Sequence, residues 1–293
     1  VRDRLSIGAL ALSLALAGAA RADDAATPAA APDKSAYGVF DPTPTAQERA
    51  LCTDRPTKST GTCTVDAGHW QYETDLINYT DDHSGGVTTQ TWLFTNPTLK
   101  LGVTNTLDIE VNMVPWETVT THDHASGART SISGIGDFYA KAKWNLLGDD
   151  GGDVAVALAP YIKAPTARAG IGNGAVEGGL IVPLVFNLPD GWQLTVDPEA
   201  DVLANGAGRG DHANIAGLLS FGHPLSATLT ASVEVWSDID FDPAGVVRQY
   251  SFDLGLAWIP AKHPNVQLDG GVNLGLNAAT PAAQAYLGLS QRF

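Results

Sequence analysis

Ala285-Tyr286-Leu287-Gly288-Leu289-Ser290-Gln291-Arg292-Phe293 is the stretch whose reading decides the fold. With period two, Ala285, Leu287, Leu289 and Phe293 face one way, while Tyr286, Gly288, Ser290 and Arg292 face the other. Gln291 is the one polar residue on the apolar side. A half-apolar, half-polar strand running to an aromatic suits a β-barrel whose outside meets lipid and whose inside meets water. The last strand of a soluble sandwich alternates in the same way, so the rest of the chain has to decide.

Working backward from this strand, twelve strand candidates lie near 69–79, 89–103, 106–117, 134–146, 153–164, 176–187, 192–203, 213–222, 225–237, 248–259, 265–276 and 283–293. Most have the length of a tilted membrane strand. Short turns contain Thr104-Asn105, Gly148-Asp149-Asp150-Gly151-Gly152, Pro189-Asp190-Gly191, His223-Pro224 and Ala261-Lys262-His263-Pro264. Longer connections, including 118–133, 165–175, 204–212 and 238–247, follow most of the odd strands. Short turns at one end and long loops at the other are expected of an outer-membrane barrel, whereas a soluble meander has no reason to keep that alternation. The expected fold is all-β: a transmembrane up-and-down antiparallel β-barrel of about 12 strands, with an irregular N-terminal periplasmic segment.

The alternation assigns faces. Gln71, Glu73 and Asp75 oppose Trp70, Tyr72 and Leu76; Asp108 and Glu110 oppose Ile109 and Val111; Lys141 and Lys143 oppose Ala142 and Trp144. A charge facing lipid costs about 2–4 kcal/mol at mid-membrane, so charges belong inside. The expected lumen lining includes Glu73, Glu110, Asp137, Lys141, Lys143, Glu177, Asp253, Asp269 and Arg292. Carboxylates and lysines pairing across a narrow lumen point to an occluded conduit rather than a wide porin. Trp144, Trp192 and Trp258 sit beside short turns as an aromatic girdle. Trp92 and Phe94 allow two readings. If the phase of Lys100 holds, they face the lumen as possible solute contacts; a bulge near Pro97 would send them to lipid.

Arg2 and Arg4, the apolar run Leu5–Ala20, and Ala20-Arg21-Ala22 before Asp23 form a secretory signal, residues 1–22. Val1 is compatible with a GTG start codon, on which reading the precursor begins there. Residues 23–67 are an Ala/Pro-rich leader followed by an irregular segment that either packs at the barrel mouth or plugs the lumen; residues 68–293 are the barrel. Export to an oxidising compartment pairs the two cysteines, Cys52 and Cys63. A formal charge of −15 argues against nucleic acid as a partner.

Several stretches carry a family resemblance. They are Asp54-Arg55-Pro56, Val65-Asp66-Ala67-Gly68-His69-Trp70-Gln71-Tyr72-Glu73, Gly134-Ile135-Gly136-Asp137 with Lys141-Ala142-Lys143-Trp144, Pro160-Tyr161-Ile162-Lys163-Ala164-Pro165-Thr166, Gly172-Asn173-Gly174-Ala175-Val176-Glu177-Gly178-Gly179, and Leu268-Asp269-Gly270-Gly271-Val272-Asn273-Leu274-Gly275-Leu276-Asn277 with Thr280-Pro281. In that order they resemble the outer-membrane transporter family labelled "MetA-pathway of phenol degradation", over roughly residues 54–293. The resemblance implies a barrel that passes small hydrophobic or aromatic compounds, and it brings no catalytic or ligand residues with it.

Enzyme chemistry finds little footing. A barrel lipase needs a His and a Ser two apart on an outward strand face, and no histidine on a strand candidate has that spacing. His122-Asp123-His124 is read as solvated outer loop rather than a metal site, so no metal or cofactor is assigned. The expected role is a passive, selective route for small hydrophobic solutes in the outer membrane of a Gram-negative cell. The alternative is a structural or adhesive barrel acting through its outer loops. Expected partners are outer-membrane lipid and lipopolysaccharide, the solute, and the barrel-insertion machinery, which would read Phe293 as a C-terminal assembly signal.

Overall fold

The alternation continues from strand to strand in the computed structural model, which describes residues 33–293. The signal reading of residues 1–22 and the first part of the leader lie outside the described residues. The strands are β1 (Trp70–Asp82), β2 (Val87–Leu93), β3 (Thr98–Thr104), β4 (Leu107–Met113), β5 (Glu117–Asp123), β6 (Arg129–Gly134), β7 (Phe138–Leu147), β8 (Val154–Ala164), β9 (Glu177–Ile181), β10 (Leu184–Asn187), β11 (Gln193–Ala204), β12 (Asp211–Pro224), β13 (Leu229–Asp240), β14 (Val247–Trp258), β15 (Val266–Gly275) and β16 (Ala283–Arg292). All pair antiparallel in one sheet, which β16 closes on β1 from Gln71↔Arg292 to Asp81↔Ala283. Four wall strands are each in two pieces: β2 with β3, β4 with β5, β6 with β7, and β9 with β10. The wall therefore has the twelve strands expected.

The four interruptions correct the expectation of unbroken strands at 89–103, 106–117, 134–146 and 176–187. Pro97, Pro115 and Pro183 lie in three of the gaps and have no N–H to give the ladder. The fourth gap, 135–137, is carried by Gly136, whose N–H donates to the Val114 carbonyl at 2.8 Å. The expected loop 118–133 is also corrected. It is the hairpin β5–β6, paired from Glu117↔Gly134 to His122↔Arg129, so His122 and Asp123 end a strand and only His124 begins the turn. Cross-strand pairs such as Thr118–Ser133 and Thr120–Ser131 hold the hairpin together.

The same phase logic places Trp92. Tyr79 pairs with Trp92 across β1–β2, and Tyr79 also pairs with Ala285 on the apolar side of β16. Between β2 and β3 the chain passes through Thr95 at φ 61° and then Pro97, which reverses its phase while Lys100 stays inward. Trp92 and Phe94, 39% and 47% exposed, therefore lie on the outer wall, and the lumen reading of these two residues is corrected. Their rings stack with each other, and Trp92 packs on Tyr79 at 4.5 Å. Trp70, Trp144, Trp192, Trp258 and Phe293 are exposed at the turn end. Nine residues of tilted strand separate Trp70 from Tyr79, a height of about 25 Å that matches the apolar band between the two aromatic girdles.

The face between these girdles is where a misplaced charge is most costly. Leu254 sits within it, pairing with Val233 and Val272. Leu254→Arg is expected to lower stability by about 2–4 kcal/mol, read by reversible denaturant unfolding in lipid vesicles, with Leu254→Phe close to the wild type.

Candidate functional site: a plugged lumen with two chambers

Asp54-Arg55-Pro56 lies inside the barrel, on a loop closed by the Cys52–Cys63 disulfide. Within the segment 23–67, left open between mouth and lumen, residues 43–67 plug the lumen and residues 33–42 pack at the turn end. Lys34 there bonds Asp150 at 2.7 Å, and the Thr43 hydroxyl bonds Asn105 at 2.9 Å.

Arg55 is the plug's principal anchor. Asp75 and Asp269 both pair with Gly288, so a glycine lies between two inward carboxylates on neighbouring strands. The guanidinium lies over that glycine, 2.6 Å from Asp75 and 2.8 Å from Asp269, where any side chain at 288 would collide with it. Such a fork-to-carboxylate geometry suits arginine and not lysine. Tyr286 supports the anchor from β16, its ring 5.7 Å from the guanidinium and its hydroxyl donating to the Pro56 carbonyl at 2.5 Å. Pro56 itself packs where Gly255 leaves room.

Asp54 reaches the opposite wall. Lys100, Lys143 and Lys141 approach its carboxylate at 2.6, 2.8 and 3.7 Å. The same lysines meet Glu73 at 2.6 Å from Lys100, and Glu110 at 3.0 Å from Lys141 and 3.2 Å from Lys143. Burial pushes the Asp54 carboxyl up, but the three ammonium groups outweigh it and hold the acid well below its ordinary 3.8.

Other plug contacts complete the ring. Lys58 pairs with Asp253 at 3.1 Å and lies over the Trp236 ring. The Lys58 N–H donates to Glu234, and the Thr60 N–H to Asp197. Asn145 donates to the Thr62 carbonyl and Gln71 to the Cys52 carbonyl. Below them Arg292 joins Glu48 at 3.2 Å and Asp66 at 3.4 Å. Of the residues expected to line the lumen, Glu73, Glu110, Lys141 and Lys143 lie in the Asp54 cluster. Asp253, Asp269 and Arg292 meet the plug, while Asp137 and Glu177 share Lys163 at 3.4 and 2.6 Å. The expectation that carboxylates and lysines of the wall would pair across the lumen missed Arg55 and Lys58, which supply charge from the plug.

The plug divides the lumen. Above it is a cavity of about 540 Å³. Asp54 and Arg55 form its floor, and Val114, Tyr139, Lys141, Tyr161, Ile181 and Glu199 form its wall. The Tyr139 and Tyr161 rings are 6.4 Å apart. Below is a second cavity of about 460 Å³, lined by the other face of the disulfide loop and the short turns.

This arrangement covers the residues matched by the family described as "Putative MetA-pathway of phenol degradation", from 53 to 293. The chain belongs to that family. The match begins one residue before Asp54, so the anchor lies within it. Among solved structures, the COG4313 outer membrane channel from Pseudomonas putida F1 is similar at a TM-score of 0.63 and 12% identity, over 81% of this chain and 100% of that one. The translocator domain of autotransporter NalP from Neisseria meningitidis gives 0.46 at 14% identity, over 77% and 88%. The CymD monoaromatic hydrocarbon channel gives 0.40 at 9% identity, over 76% and 87%. No curated protein matches the sequence. The first of these likenesses shows the fold to be that of an outer-membrane barrel.

The depressed Asp54 acid sets a pH dependence. A carboxyl held below its unfolded value stabilises docking fully above that value, and the contribution is lost as pH falls through the folded one. Conductance in planar bilayers is expected to stay at its neutral-pH level past pH 3.8 and to rise only in stronger acid. A rise already near pH 5 would contradict the Asp54 assignment.

Proposed function

We propose that the protein is a passive conduit in the outer membrane of a Gram-negative cell for small hydrophobic or aromatic molecules. The observation that carries this reading is the upper chamber, where two tyrosine rings and the Val114 and Ile181 side chains face a space the size of a small solute. Aromatic faces at this spacing suit stacking on a flat, apolar guest. The family description, which refers to phenol degradation, supports the same class of guest. The neighbour named an outer membrane channel has the same fold. On this reading the lumenal carboxylates hold the plug and are not acid–base catalysts. Outer-membrane lipid and lipopolysaccharide surround the apolar band.

The test is uptake of a dilute radiolabelled aromatic hydrocarbon by intact cells. Loss of the protein is expected to slow initial uptake severalfold. Tyr139→Ala with Tyr161→Ala is expected to raise the half-saturating concentration. Gly288→Val, which displaces Arg55 and loosens the plug, is expected to speed uptake. Unchanged uptake without the protein would favour the structural or adhesive barrel.

Phe293 completes the proposal. Its N–H donates to the Trp70 carbonyl at 2.8 Å and its ring is exposed beside the lower girdle. We read it as the signal the insertion machinery recognises. Deleting it is expected to slow insertion and leave protein in the periplasm, although one ring adds at most about 1–3 kcal/mol of burial. Normal outer-membrane yield at low expression would count against this role.

A further inference from the structure

The lumenal cations are engaged on one side of the barrel. Lys100, Lys141 and Lys143 serve Asp54, Glu73 and Glu110, and Lys163 serves Asp137 and Glu177. The wall of β11–β13 differs. Asp197, Glu199 and Asp201 occupy successive inward positions on β11, and Asp238 faces inward from β13. Among the described residues no Lys, Arg or His forms an ion pair with any of these four. His212, on β12, lies 2.7 Å from Asp240 instead.

This wall is constructed around its acids. Tyr161, Gly179, Asp201 and Asn214 lie side by side across four strands. The Asp201 carboxylate occupies the space above Gly179, where any side chain would collide with it. From there it accepts the Tyr161 hydroxyl at 2.9 Å. The Asn214 amide nitrogen donates to Asp201 at 3.0 Å and to Asp238 at 2.8 Å, gathering two carboxylates from strands that are not neighbours.

Three buried oxygens on this wall have no donor, one of them Oε2 of Glu234, whose other oxygen accepts the Lys58 N–H. The other two, Asn214 Oδ1 and Asp197 Oδ1, are without hydrogen-bond partners, although each residue is only 5% exposed. A buried oxygen without a donor is costly, and unpaired like charges side by side more so. What is missing from this wall carries N–H donors and a positive charge. Among the described residues no three His, Cys, Asp or Glu side chains converge with the geometry of a metal site. An ammonium group needs acceptors and not a closed coordination shell.

We propose that the upper chamber holds a binding site for an organic ammonium ion. Its charge rests on Glu199 and the Asp201–Asn214–Asp238 cluster, and its apolar body lies along Tyr161, Tyr139 and Ile181. Glu199 and Tyr161 both line the chamber, so head and body share one space. The tyrosine faces add attraction for a cation that a neutral guest does not gain. The proposal rests on the reading of the upper chamber as the solute chamber, and it names the head group that chamber prefers.

The test compares three probes with one aromatic body: 2-phenylethylamine, 2-phenylethanol and phenylacetate. Each is titrated calorimetrically into the full chain in detergent. The amine is expected to bind about tenfold more tightly than the alcohol, and the acid more weakly than either. The E199Q/D238N variant, near-isosteric and checked for its folded gel mobility, is expected to bind the amine no better than the alcohol. The proposal is overturned if the alcohol or acid matches the amine, if the preference survives in the variant, if none of the three binds, or if calcium chloride displaces the amine by binding more tightly. Uptake and binding fail separately. An amine preference without any effect on cellular uptake would refute the conduit and keep the site. Aromatic uptake without an amine preference would refute the site and keep the conduit.

Discussion

Three lysines pointing into a closed lumen require counter-charge, and the plug supplies part of it. Desolvating an ion costs several kcal/mol, and removing one member of a buried pair leaves the other stranded. Asp54 is one of the acids that Lys100, Lys141 and Lys143 share, and Arg55 is the cation that Asp75 and Asp269 share. The plug is thus an electrostatic part of the wall. Any passage past it has to replace those pairs with water or with the solute's own polar groups.

This dependence also explains why the two chambers differ. The upper one has ion pairs only in its floor and along one side, so its tyrosines and aliphatic residues are free to meet a guest. The lower one is bounded by turns and by the Cys52–Cys63 face of the loop. The disulfide closes a short loop, and so keeps Asp54, Arg55 and Lys58 on one small scaffold while they reach strands on different sides of the barrel.

Period-two alternation made the wall legible, since one phase error turns every charge in a strand toward lipid. The inward positions of Glu73, Glu110, Asp253 and Asp269 followed from it directly. The strand interruptions did not, although Pro97, Pro115 and Pro183 were visible as residues unable to serve a central ladder. Trp92 was ambiguous for that same reason. The plug was harder still. Its residues have no periodicity, and Arg55 lies more than two hundred positions from Asp269. The available signal was arithmetic: Asp75, Asp253 and Asp269 face inward without an ion pair to any cation of the wall, and Arg55 and Lys58 stood unassigned in the preceding segment.

The barrel has one seam, where its first and last strands meet, and that joint closes the longest loop in the wall. Arg55 sits across it. One guanidinium grips β1 through Asp75 and β15 through Asp269, with β16 running beneath it at Gly288. The plug is therefore also a rivet. A chain that completes its seam with Arg55 outside would enclose two facing aspartates and no cation between them, so correct threading and secure closure are one event.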